Sequence, residues 1–135
     1  MGEGITPITE RTFEFAVRIV KLCQALESRS AVSGALMRQL IRSDTSVGAN
    51  VEESQGGQSK ADFIHKLEIA LKELRETRYW LRLLVATEVM PEQRLGSLIQ
   101  ESEELLKIIS KIVVNTKRNI AFPALVRYTF CSLVL

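Results

Sequence analysis

The chain has 135 residues and a mass of 15.2 kDa, the size of one domain. A hydrophobic content of 46%, with only seven glycines and three prolines, excludes a disordered, collagenous or low-complexity chain, because the apolar surface suffices to offset the entropy of ordering. Its 18 basic and 16 acidic side chains leave a net charge of +2, which permits polyanion binding without requiring it.

The first helix is expected from about Thr9 to Glu27, where Phe15, Ile19, Leu22 and Leu26 recur at alternating steps of four and three. Ala16, Val20 and Cys23 widen its apolar arc, and Cys23 reads as a small buried hydrophobe. The link Ser28-Arg29-Ser30 leads to a second helix beginning near Ser33, with Leu36, Leu40, Val47 and Val51 on one side. Ser59 followed by Asp62 resembles a capping box and opens the third helix. There Phe63, Leu67, Ala70, Leu74, Thr77, Leu81 and Leu84 form an unbroken seam of the kind that packs knobs into holes. Pro91, a favoured first-turn residue, opens the fourth helix, whose seam is Leu95, Ile99, Ser102, Leu106, Ile109, Val113 and Thr116. Links of three to eight residues favour antiparallel neighbours. The expected fold is all-α: one domain over residues 1–135, an antiparallel up-down four-helix bundle with a helical core of about residues 9–117.

The tail is different. From Ile120 to Leu135, twelve of 16 residues are apolar, Pro123 interrupts any helix, and Val126, Tyr128 and Phe130 alternate with Arg127 and Thr129. Residues 119–135 therefore read as an extended apolar arm that must be covered, with Val126, Tyr128 and Phe130 expected at a partner or subunit contact.

Nothing along the chain has the spacing that catalysis or metal binding requires. His65 is the single histidine and is expected to face away from the apolar seam. Glu52/Glu53 and Glu103/Glu104 are adjacent pairs whose side chains diverge on a helix, which suits ion pairs better than an acid/base couple. Phosphate-binding loops, dinucleotide fingerprints and nucleophile elbows are all missing from the sequence. No enzymatic activity, catalytic residue, metal or cofactor is expected. No apolar run is long enough to span a bilayer and the start lacks the order of a secretion signal, so a cytoplasmic protein without membrane contact is expected. Small and hydroxyl residues crowd Ser43 to Glu53, consistent with close helix packing around Gly48 or with a polar patch centred on Asn50.

Three stretches carry a resemblance to a known family: TSVGANVEE (Thr45 to Glu53), Ser59-Lys60-Ala61-Asp62-Phe63, and ALKELRETRYWLRLL (Ala70 to Leu84). They resemble the four-helix-bundle proteins encoded in intervening sequences of bacterial 23S rRNA genes, over about residues 10–117. The resemblance implies an up-down bundle assembled as a ring-shaped homopentamer. It also implies a link to accessory proteins of diversity-generating retroelements, which bind a reverse transcriptase and nucleic acid. No catalytic residues are known for the family, so the resemblance implies none here.

Arg75, Arg78 and Arg82 share one flank of the third helix with Lys72 and Tyr79, while Lys107, Lys111 and Arg118 share a face of the fourth. The last 31 residues carry five basic groups and no acidic one. Such strips, with an aromatic nearby, suit phosphate contact and base stacking. The plain alternative is a solvated surface with i,i+4 pairs of Glu68 with Lys72 and Glu103 with Lys107. Trp80 lies on the other flank, either capping the core or in a subunit interface. The expected function is a non-enzymatic homo-oligomeric adaptor that binds RNA or DNA. The alternative is a protein-only scaffold, for instance an accessory subunit of a reverse transcriptase.

Overall fold

A computed structural model describes residues 6–26, 30–56 and 58–119. Four helices account for nearly all of them: α1 (Ile8–Leu26), α2 (Ala31–Gln55), α3 (Lys60–Ala86) and α4 (Glu92–Arg118), with no strand among the described residues. The architecture is a four-helix bundle. None of these helices is long and apolar enough to cross a membrane.

The helix starts differ in detail from the sequence expectation. α2 begins at Ala31 rather than near Ser33, because Ser30 and Ser33 form a reciprocal capping box in which each hydroxyl accepts from the other's backbone N–H. At α3, the Ser59 hydroxyl accepts the Asp62 N–H at 3.1 Å and serves as N-cap. Pro91 is the N-cap of α4 and not its first helical residue; it is extended, and offers no side-chain cap. The α3–α4 turn closes with Glu88 at φ 58°, a left-handed conformation usually given to glycine. Val89 donates to the Leu84 carbonyl and Glu88 to that of Val85, so the last turn of α3 is satisfied while Met90 returns to the core.

Every residue of the α3 seam, from Phe63 to Leu84, is buried. In α4 the expected seam is buried except at Ile99 and Leu106, which are half-buried, and Leu98, Leu105 and Ile112 join it. α1 adds Ile8 and Thr12 ahead of Phe15 and Ile19, and α2 adds Met37. The apolar arcs are therefore wider than a two-residue heptad seam, as expected when each helix touches two neighbours.

Buried hydroxyls within these seams bond back to their own helices. Thr12, Ser54, Ser102 and Thr116 donate to the carbonyls of Ile8, Val51, Ile99 and Ile112, all within 2.9 Å. Ser43 donates to the Leu40 carbonyl, and the single Thr77 proton has two acceptors in reach at 2.9 Å, the Ser43 hydroxyl across α2 and α3 and the Glu73 carbonyl of its own helix. Polar residues thus occupy seam positions without leaving an orphaned group. Asp44, beside Ser43, is the exception.

Ionic contacts tie the outer edges of the helices. Arg11 grips Glu101 through two hydrogen bonds of 2.7 and 2.9 Å and also reaches Glu104, joining α1 to α4. Arg42 of α2 pairs with Glu73 and Glu76 of α3, and Lys66 pairs with Glu53. At the other edge of α3, the Lys60 amine bonds the carbonyl of Asn119, so the start of α3 lies beside the end of α4.

Candidate functional site

The outer face between α3 and α4 holds two adjoining cavities. The larger, of about 480 Å³, is lined by Arg78, Tyr79, Arg82, Leu83, Val85 and Ala86 of α3, and by Glu92, Ile99 and Glu103 of α4. The second, of about 400 Å³, is lined by Glu68, Leu71 and Arg75 with Ser110, Val113 and Val114. Together they trace one cleft along the two helices. Leu83, Val85, Leu71 and Ile99 give it apolar walls.

Five of the cations expected from the sequence are left free on this face. Arg75, Arg82, Lys107, Lys111 and Arg118 are exposed and form no ion pair or hydrogen bond among the described residues. Arg75 and Arg82 line the cleft on α3. Helical spacing sets Lys107, Lys111 and Arg118 beside the Glu103, Ser110 and Val114 line on α4. Of the three acidic residues lining the cavities, two are already engaged: Glu103 accepts from Arg78 at 3.0 Å and Glu68 from Lys117 at 2.6 Å. These cross-helix pairs form instead of the i,i+4 pairs of Glu103 with Lys107 and of Glu68 with Lys72 that the plain alternative offered, because α3 and α4 lie close enough for their outer side chains to meet. They leave Lys107 unneutralised. Lys72 lies close enough to Glu76 to help hold that carboxyl below its usual range, after the larger effect of hydrogen bonding from Arg42.

Tyr79 stands in the wall of the larger cavity, 55% exposed. Its ring meets that of Trp80 nearly edge-on, with centroids 5.1 Å apart and planes at 74°. Trp80 packs against the core, and its indole N–H donates to Glu76 at 3.1 Å. Within the chain, then, Trp80 caps the core and braces Tyr79. Val126, Tyr128 and Phe130, with the whole arm from Ile120, lie outside the described residues.

The remaining candidates have ordinary roles. His65 is exposed, as expected, and no group of three or more metal-ligating side chains occurs among the described residues. The Asn50 amide donates to the Ser46 carbonyl at 2.8 Å and reaches the Ser46 hydroxyl at 3.2 Å, so it is occupied by its own helix. Gly48 is not demanded by close approach either: a Cβ there would meet the Thr12 carbonyl at 3.8 Å, an ordinary contact. Thr45, Gly48 and Ala49 instead form the floor of a shallow groove of about 290 Å³ beside Phe13, which is 62% exposed.

Sequence reasoning missed Asp44. It is 1% exposed, and neither carboxylate oxygen has a hydrogen-bond partner among the described residues. Burial raises its pKa to about 7. The nearby Cys23 thiol is pushed up to about 11, mainly by its own burial and secondarily by the Asp44 charge, which makes it a poor nucleophile. In sequence Asp44 sits in a polar run and looks solvated. Only the packing of α2 reveals that it points inward.

These features define a class: a four-helix bundle whose outer α3/α4 face is a cleft flanked by unpaired cations. Residues 6–111 match the 23S rRNA-intervening sequence protein family, and the chain belongs to that family. It is also similar to a crystal structure of a protein with unknown function from the S23 ribosomal protein family of Bacteroides thetaiotaomicron VPI-5482. The two share 44% identity over 78% of this chain and 97% of that one, with a TM-score of 0.73. No curated protein matches the chain.

Proposed function

We propose that the protein is a non-enzymatic, homo-oligomeric helix-bundle adaptor of the cytoplasm that binds RNA or other nucleic acid through the α3/α4 cleft. The observation that carries this reading is the set of cations without ion-pair partners among the described residues: Arg75 and Arg82 line the cleft, helical spacing sets Lys107, Lys111 and Arg118 on the neighbouring face of α4, and two of the three acidic lining residues are neutralised. Cations held on two rigid helices are positioned to track a phosphate backbone, and displacing the counterions condensed on it supplies the binding free energy. Arg78 holds Glu103 and lines the same cleft, so its role is to suppress an acidic group that would repel phosphate.

Assembly into a homopentamer, as the family resemblance implies, would repeat the cleft around a ring and multiply a weak contact by avidity. Exposed Phe13, next to the groove over Thr45, Gly48 and Ala49, offers apolar surface for such assembly or for a protein partner. The reading is tested by fluorescence anisotropy of a labelled structured RNA titrated with nuclease-treated protein at low and moderate salt. Micromolar or tighter binding that weakens steeply with salt is the expected result. No binding at low salt would reject it and leave a protein-only scaffold, such as an accessory subunit of a reverse transcriptase, as the reading to pursue.

A further inference from the structure

We infer that the larger α3/α4 cavity receives an unpaired nucleobase, so that the protein selects single-stranded over duplex nucleic acid; this rests on the nucleic-acid reading above. A patch that only neutralised phosphates would need neither a cavity nor an exposed aromatic wall. Here the cavity measures about 480 Å³ and is bordered by Tyr79, Leu83, Val85 and Ile99. That volume lies in the ordinary range of small-molecule sites, about 300–1,000 Å³. Tyr79 is 55% exposed yet not free to fold away, because Trp80, itself packed against the core, meets its ring nearly edge-on. An exposed, braced ring beside apolar walls is a surface on which a planar base stacks without sequence preference.

The charges complete the arrangement. Arg82 borders the same cavity and Arg75 the adjoining one, both without ion-pair partners among the described residues. A strand whose base enters the cavity therefore finds cations on the Tyr79 flank for its phosphates. In a duplex the bases are stacked and paired inside the helix, so that base edges, sugars and phosphates reach the protein surface but no base face does. The duplex can touch the arginines but cannot fill the cavity, so it forfeits the stacking contribution.

The test compares three fluorescein-labelled probes of equal length: a mixed-sequence single-stranded RNA, a fully abasic strand, and the RNA duplex. Each is titrated with the wild-type chain and with Tyr79→Ala, Tyr79→Phe and the double variant Arg75→Glu/Arg82→Glu. The single strand is expected to bind roughly tenfold more tightly than the abasic strand or the duplex. Tyr79→Ala is expected to bring it down to the abasic level, and Tyr79→Phe to preserve the difference. Circular dichroism checks that helicity is retained, which the exposure of Tyr79 favours. Equal affinity for all three probes, or indifference to Tyr79→Ala, overturns the base site. If Arg75→Glu/Arg82→Glu still abolishes binding in that case, phosphate recognition by the cleft stands without it. No binding of any probe at low salt overturns both.

Discussion

Helix α3 presents two flanks that solve the same problem differently. Toward α2 it offers Glu73 and Glu76, and these are consumed: Arg42 pairs with both, and Trp80 donates to Glu76. Beneath them Ser43 and Thr77 join hydroxyls across the interface. Toward α4 it offers Arg75, Arg78 and Arg82, of which only Arg78 finds a carboxylate among the described residues, and cavities of about 480 and 400 Å³ open along this face. One flank is closed, its charges engaged in ion pairs; the other is open and cationic. The comparison shows that overall charge, a modest +2, says little about binding capacity. What counts is which charges remain after the helices have paired their own.

The largest expected effect lies at a buried residue of α2, near Cys23 of α1. Asp44 is buried without hydrogen-bond partners among the described residues, and its folded pKa of about 7 stands above the unfolded value of about 3.9. The folded state therefore holds a proton that the unfolded state has released, and stability falls as pH rises between those values. The loss amounts to about 4 kcal/mol across the window, at about 1.4 kcal/mol per unit. Urea denaturation at pH 5 and pH 8 should show the wild type markedly weaker at pH 8. Asp44→Asn, which cannot ionise, should flatten the difference; an unchanged slope in that variant would place the titration elsewhere.

Charge reversal separates the two flanks next. Arg75→Glu/Arg82→Glu on the open side should weaken binding of a structured RNA by roughly 100-fold near 100 mM salt and reduce the salt dependence. Reversal of Arg42 on the closed side should leave RNA affinity within about twofold, since that residue serves Glu73 and Glu76 and lies away from the cleft. Equal losses from both would mean that a diffuse field, and not the cleft, binds RNA.

Smaller effects sharpen the closed side. Thr77→Val keeps the shape of the side chain and removes the hydroxyl that joins α3 to α2, which should cost about 1 kcal/mol in chemical denaturation. Adding Ser43→Ala should cost less than a second such loss, because the pair acts as a unit. Smallest of all, Gly48→Ala should stabilise by somewhat under 1 kcal/mol, as helix propensity improves and a Cβ there meets nothing nearer than 3.8 Å. A destabilised Gly48→Ala would show that the small-residue groove needs its exact depth.

The seams were readable because burial on a helix repeats with the backbone's own period, and Phe63 through Leu84 obey it at every step. The same arithmetic would have found the cleft wall, since Ile99, Glu103, Ser110 and Val114 fall on one line of α4. It could not choose partners. Glu68 and Glu103 each have a lysine four residues on, yet they pair with Lys117 and Arg78 across the gap, where another helix brings a cation closer. Likewise Gly48 looked like a point of close approach, and only the actual distance to α1 showed otherwise.

The sequence by itself determined the four helices, their apolar faces and the cations available to a ligand, because propensity, capping and periodicity are local properties of the chain. The tertiary structure alone decided which charges cancel, where a cavity opens beside Tyr79, and that Asp44 lies buried without a hydrogen-bond partner among the described residues. Those outcomes depend on distances between residues far apart in sequence, set by how the helices pack and not by any helix alone.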